Sequence, residues 1–150
     1  MLTNIIIGIV IIGITVTIHG YGTFFWIKLL SDRYNHLTKK KYTTKVIWLL
    51  ILTTLFLLLL NFLEAVIWGF TYYLIPNITE FDTLEKSIYF SLVTYTTLGY
   101  GEITISSTNR ILSGFEAMNG IILLGWSTTV LLSVMQSIVR DSFKAKEKGN

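Results

Sequence analysis

Three long, predominantly apolar stretches constrain this chain more than anything else in it: Ile5 to Leu30, Val46 to Leu74, and Ile111 to Val139. About 20 apolar residues in helix cross a hydrocarbon core, so each stretch is long enough to span a bilayer with some tilt. Of the 150 residues 52% are hydrophobic and only 14% charged, too apolar a balance for a soluble domain of this size. The expected class is an all-α integral membrane protein. No internal repeat or long linker divides the chain.

Charge placement orients the spans. Arg33, Lys39, Lys40, Lys41 and Lys45 share one loop, and Arg140, Lys144, Lys146 and Lys148 lie in the tail, so both segments are expected on the cytoplasmic side. The segment between the second and third spans carries Glu80, Asp82, Glu85 and Glu102 against Lys86 alone, and is expected outside together with the N-terminus. The first span lacks the basic flank and small-residue cleavage pattern of a signal peptide and reads as a retained helix. Its Gly13, Thr17 and Gly20 form a flat face suited to close helix packing, and Gly20-Tyr21-Gly22 is a candidate kink. Asn77-Ile78-Thr79 has the form of a glycosylation sequon, a match best attributed to chance. The chain has no cysteine, which excludes disulfides and thiolate metal sites.

Between Thr83 and Thr96 lies a shorter, largely apolar stretch, opened by Asp82 as an N-cap with Glu85 three residues on. As a helix it measures about 20 Å against a core of about 30 Å, so it fits a re-entrant element better than a fourth crossing. Thr96-Thr97-Leu98-Gly99-Tyr100-Gly101-Glu102 follows directly, then polar residues, then the third span. Rings of backbone carbonyls can replace the water shell of a cation, and glycines at Gly99 and Gly101 permit the unusual backbone this requires.

Here the sequence resembles potassium channels, whose Thr-Val/Ile/Leu-Gly-Tyr-Gly filter is matched at Thr97 to Gly101, with a similarity running from about Leu84 to Ser133. The resemblance implies three transmembrane helices plus a pore helix and filter loop, assembled as a homotetramer in membrane lipid. It divides the chain into an N-terminal helix and basic loop (1–45), a pore domain (46–140) and a short cytoplasmic tail (141–150). It also implies passive potassium conduction at the plasma membrane, with the ion as permeant and no cofactor, no enzymatic activity and no nucleic-acid partner. The ligands implied are the carbonyls of Thr97, Leu98, Gly99 and Tyr100, with the Thr97 hydroxyl at the cavity end; Gly101 completes the filter. Tyr100 is expected to pack on Tyr89 and Phe90, Thr96 to support the loop, and Tyr89 to bond Glu102.

Gly120 aligns with the family's inner-helix hinge, for which close packing is the competing reading, and Ile121, Leu124 and Thr128 are expected to line the cavity. Two acids fall inside spans. Glu64 lies about 28 Å above Lys45 and Glu116 about 9 Å below Arg110, at similar depth. With Asn61 and Asn119 they are candidates for one hydrogen-bonded cluster behind the pore helix that tunes filter stability with pH, or for two separately satisfied residues. His19, in mid-helix, is assigned no role. A weakly selective cation channel and a non-conducting accessory subunit docking through its first helix are the alternatives. The spans lack the periodic arginines of a voltage sensor, leaving the gating stimulus and any regulatory partner open.

Overall fold

The computed structural model of the chain describes residues 2–34, 42–105 and 109–147. The centre of the basic loop, Lys39 to Lys41, and Lys148 in the tail lie outside the described residues. Four helices follow in order: α1 (Leu2–Tyr34), α2 (Tyr42–Leu74), α3 (Leu84–Tyr95) and α4 (Ile111–Glu147). No strand occurs among the described residues. Hydrocarbon cannot satisfy backbone N–H and C=O groups, so apolar runs of this length must bond internally as helix. The apolar segments cover 30 residues in α1, 28 in α2 and 28 in α4. At 1.5 Å per residue each exceeds the thickness of a bilayer core and crosses tilted.

α1 remains helical through Gly20-Tyr21-Gly22, without the break that pair of glycines suggested. α4 continues past Val139 to Glu147, so most of the expected tail extends the inner helix. α3 is the short element. It starts at Thr83 rather than Asp82: the Thr83 hydroxyl accepts the Lys86 amide at 3.3 Å, while Asp82 turns outward to the Lys86 ammonium at 3.1 Å. An exposed carboxylate with a lysine four residues on finds a stronger partner in that cation than in a backbone amide.

α3 packs between α2 and α4, and α1 lies against both long helices. Aromatic side chains hold the C-terminal end of α2 to α3 and to the segment between them: the Tyr72 ring meets Phe90 edge-on at 5.3 Å, and Phe81 lies 5.2 Å from Phe90. Such pairs add to burial by roughly 0.5–1.5 kcal/mol each. α1 is fastened to the rest by polar bonds at several depths, with Asn4 Nδ2 donating to Asn109 Oδ1 at 2.8 Å, Asn119 Nδ2 to Thr15 Oγ1 at 2.8 Å, and Trp26 Nε1 to Thr53 Oγ1 at 3.1 Å.

The close approaches are not those the Gly13 face suggested. Gly13 and Thr17 are exposed, with open space around Gly13, because that side of α1 points away from α2 and α4. Backbones come nearest elsewhere. A Cβ on Gly69 would lie 2.8 Å from the Ile88 Cα, and one on Gly120 would lie 2.0 Å from the Tyr95 carbonyl oxygen. Gly120 therefore seats the end of α3 directly on α4, as the packing reading of this glycine requires. Gly120→Ala and Gly69→Ala should each force α3 off its neighbours at a cost of about 1–3 kcal/mol. Thermal unfolding of the purified variants in detergent checks this, and midpoints equal to that of the wild type would refute it.

Candidate filter loop and its supports

The C-terminal end of α3 does not simply stop; its carbonyls are taken up by the loop that follows. Leu92 C=O accepts the Thr96 amide at 3.2 Å and the Thr96 hydroxyl at 2.7 Å, and Thr94 C=O accepts the Thr97 amide at 2.9 Å. Val93 C=O accepts both the Leu98 amide, at 3.0 Å, and the Gly99 amide, at 3.2 Å. Carbonyls at the helix terminus are thus satisfied by four successive amides, those of Thr96 to Gly99.

Turned this way, the loop has a backbone of alternating character. Thr97, Gly99 and Gly101 have positive φ of 58°, 55° and 78°, and the residues between them do not. In an extended strand successive carbonyls point to opposite sides; alternating the sign of φ brings them to a common side, with the amides on the other. The amides of Thr97, Leu98 and Gly99 are already committed to α3, and among the described residues no hydrogen bond is made to the carbonyls of Thr97, Leu98, Gly99 or Tyr100. The two glycines were legible in the sequence, whereas Thr97 was not. A β-branched residue at positive φ is an outlier held only by its surroundings, here the bonds that flank it.

Residues 96–102 are exposed along their whole length, Leu98 at 56% and Tyr100 at 66%. The Tyr100 ring is exposed, whereas Phe90, one of its two expected partners, is buried and turns inward to Tyr72 and Phe81. Tyr89 Oη does donate to the Glu102 carboxylate, the contact anticipated for that pair. That bond raises the Tyr89 phenol above its usual pKa, so it stays a donor at ordinary pH. Around it Asp82, Glu85, Lys86 and Ile103 form a shallow, predominantly acidic outer pocket. The Lys86 ammonium holds the Asp82 carboxyl below its usual pKa, keeping it charged in mild acid.

Behind the loop the two intramembrane acids are fully buried, and of the two arrangements the sequence left open, one shared cluster or two separately satisfied residues, each acid has partners of its own. Glu116 of α4 accepts from Tyr72 Oη of α2 at 2.6 Å and from Ser91 Oγ of α3. Glu64 of α2 accepts from Tyr95 Oη of α3 at 2.7 Å and lies 2.8 Å from His19 Nδ1 of α1. Asn61 bonds Ser127 at 2.7 Å, and Asn119 bonds α1. Tertiary neighbours satisfied each acid separately, and an acid with two partners of its own has no need of the other. His19 is the functional candidate that sequence reasoning passed over. The one available signal was electrostatic: it is the sole histidine within a span, opposite an acid on the next helix.

On α4, Ile121 and Thr128 are exposed beneath the loop, while Leu124 is partly buried against the core. The helix runs unbroken through Gly120. No group of three or more potential metal-ligating side chains occurs among the described residues.

No curated protein and no solved structure gives a significant match to the chain. Residues 60–137, more than half of the 150, match the sequence model of the family described as Ion channel. That match runs from the outer part of α2 through α3 and the loop into α4, and with it this three-span chain belongs to the ion channel family, as a small member of its potassium-channel pore-domain group.

Proposed function

We propose that this chain is one subunit of a fourfold, potassium-selective channel, and that Thr97 to Gly101 are its filter. The observation that carries the reading is the alternation of φ at Thr97, Gly99 and Gly101, with the amides of Thr97, Leu98 and Gly99 bonded back into α3. A backbone so arranged offers a file of carbonyls with no other partner, which is what a dehydrated cation needs in exchange for its water. One loop cannot encircle an ion. Exposed, non-helical backbone at membrane depth is tolerated only beside protein or water, so the face left open by residues 96–102 calls for further copies around an axis.

On this reading the carbonyls of Thr97, Leu98, Gly99 and Tyr100, with the Thr97 hydroxyl, bind potassium. The partly negative end of α3 favours a cation in the cavity below, lined by Ile121, Thr128 and the edge of Leu124. Asp82, Glu85 and Glu102 at the outer mouth raise the local cation concentration. Glu64 and Glu116 brace the loop from behind. The channel sits in the plasma membrane with its N-terminus outside and its C-terminus in the cytoplasm, the arrangement the basic loop and tail favour. α1 is bonded along its length to α2 and α4, which supports an integral part of the subunit over a surface for docking to another channel.

The purified protein reconstituted in liposomes should pass potassium, with a reversal potential that follows the potassium gradient and ignores sodium. Equal response to both gradients would mean a weakly selective cation channel, and vesicles tight to potassium would refute conduction altogether. In Gly99→Ala a side chain is forced to a φ of 55°, at about 1–2 kcal/mol in each subunit, and selective flux should be lost. Tyr89→Phe deletes one hydrogen bond at the outer end of the loop. Its expected signature is initial conductance like that of the wild type followed by faster decay during sustained recording; unchanged decay would remove Tyr89 from the supports.

A further inference from the structure

Most of the bonds that fasten α1 join neutral groups: Asn4 to Asn109, Thr15 to Asn119, Trp26 to Thr53. The fourth is different. His19 and Glu64 have no solvent-exposed side-chain surface, and His19 Nδ1 lies 2.8 Å from Glu64 Oε1. The other oxygen of the same carboxylate, Oε2, accepts from Tyr95 Oη at 2.7 Å. Tyr95 is the last residue of α3, and Thr96 and Thr97 follow it directly. We propose that His19 is a positioning residue for the filter: through Glu64 it fixes Tyr95, and the N-terminal helix thereby helps set the shape of the pore.

A carboxylate buried at this depth needs a donor on each oxygen, and here one donor comes from α1 and the other from the pore helix. With His19 removed, Glu64 Oε1 loses its donor, and the carboxylate is released to shift toward another partner and away from Tyr95. An alternative already lies within reach, since Asn61 Oδ1 is 3.2 Å from the Tyr95 hydroxyl. With a single proton to give, Tyr95 serves Glu64 while the carboxylate is held in place and turns to Asn61 when it is not. The ring cannot turn freely from its backbone. The Tyr95 carbonyl rests against Gly120 with no room for even a Cβ between, so a shift of the ring displaces the chain at its other free end, the start of the loop.

The remaining neighbours of His19 suit this role. Ser127 Oγ of α4 is 3.4 Å from Nε2 and accepts from Asn61 Nδ2 at 2.7 Å. A hydroxyl can donate to a neutral imidazole or accept from a charged one, so the ring is held in either state. The Trp126 ring lies 5.4 Å away and tilted. Neither α4 side chain brings a charge, and the other buried acid, Glu116, is engaged by Tyr72 and Ser91. Glu64 is therefore the partner through which His19 acts.

The inference rests on the channel reading above, and the full-length protein in planar bilayers separates the two. The measured quantity is the potassium-to-sodium permeability ratio from reversal potentials, for the wild type, His19→Leu, His19→Asn, Tyr95→Phe and the double variant His19→Leu/Tyr95→Phe. Linked groups couple, and removal of either should lower the ratio by about tenfold, with the double variant no worse than the singles. His19→Asn keeps an N–H toward Glu64 and should recover the ratio to within about threefold of the wild type. A helix contact of purely structural value would change the yield of assembled protein and leave the ratio alone. A wild-type ratio in His19→Leu overturns the proposal; if that variant does not assemble, a wild-type ratio in Tyr95→Phe does the same. Wild-type protein that fails to discriminate potassium from sodium overturns both readings, whereas selective wild type with unchanged variants overturns this one alone.

Discussion

Hydrocarbon offers a polar group nothing to bond with, and nearly every feature of this chain answers that deficit. The long helices answer it within themselves. The loop after α3 does so by lending the four amides of Thr96 to Gly99 to the helix it leaves, so that Leu92, Val93 and Thr94 lose no partners at the helix end. What that loan leaves over is a set of carbonyls, those of Thr97 to Tyr100, to which no hydrogen bond is made among the described residues. Helix termination and the conducting surface proposed here are consequences of one hydrogen-bonding arrangement.

The same deficit explains the polar residues behind the loop. Glu64 and Glu116 are buried in the apolar part of the chain, and each draws donors from two other helices. Such groups add less to stability than their short distances suggest, because taking them from water is costly. Their value is geometric: a carboxylate that must be met from two sides permits few relative positions of the helices that meet it. α3, too short and too polar at its ends to be held by lipid, is positioned by these acids on one side and by Gly69 and Gly120 on the other.

Much of this was legible from residues alone. Three spans follow from apolar length, α3 from being too short to cross, and the positive φ of Gly99 and Gly101 from the absence of a Cβ. Thr97 was hidden because residue type argues against the conformation it adopts, and only the hydrogen bonds around it impose that conformation. Thr83 displaced Asp82 as the cap because a lysine one turn on competes for the carboxylate, a contest between two local rules that sequence does not weigh. The partners of Glu64 and Glu116 were out of reach for another reason. They depend on how far each helix is rotated about its own axis, and His19 meets Glu64 across 45 positions of chain. Depth can be counted along a helix, but rotation is set by packing.

Tyr95 joins these parts in a way that bears on mechanics. Its carbonyl abuts α4 at Gly120 without an intervening side chain, and its hydroxyl reaches toward α1 by way of α2. Side chains between helices ordinarily act as a compliant layer that absorbs small displacements by changing rotamer. Where backbone touches backbone that cushion is missing, so a slide or twist of the inner helix passes undiminished to the residue from which the loop is hung. The C-terminal end of α4 and the loop after α3 are, in this sense, two ends of one lever whose fulcrum is a single glycine.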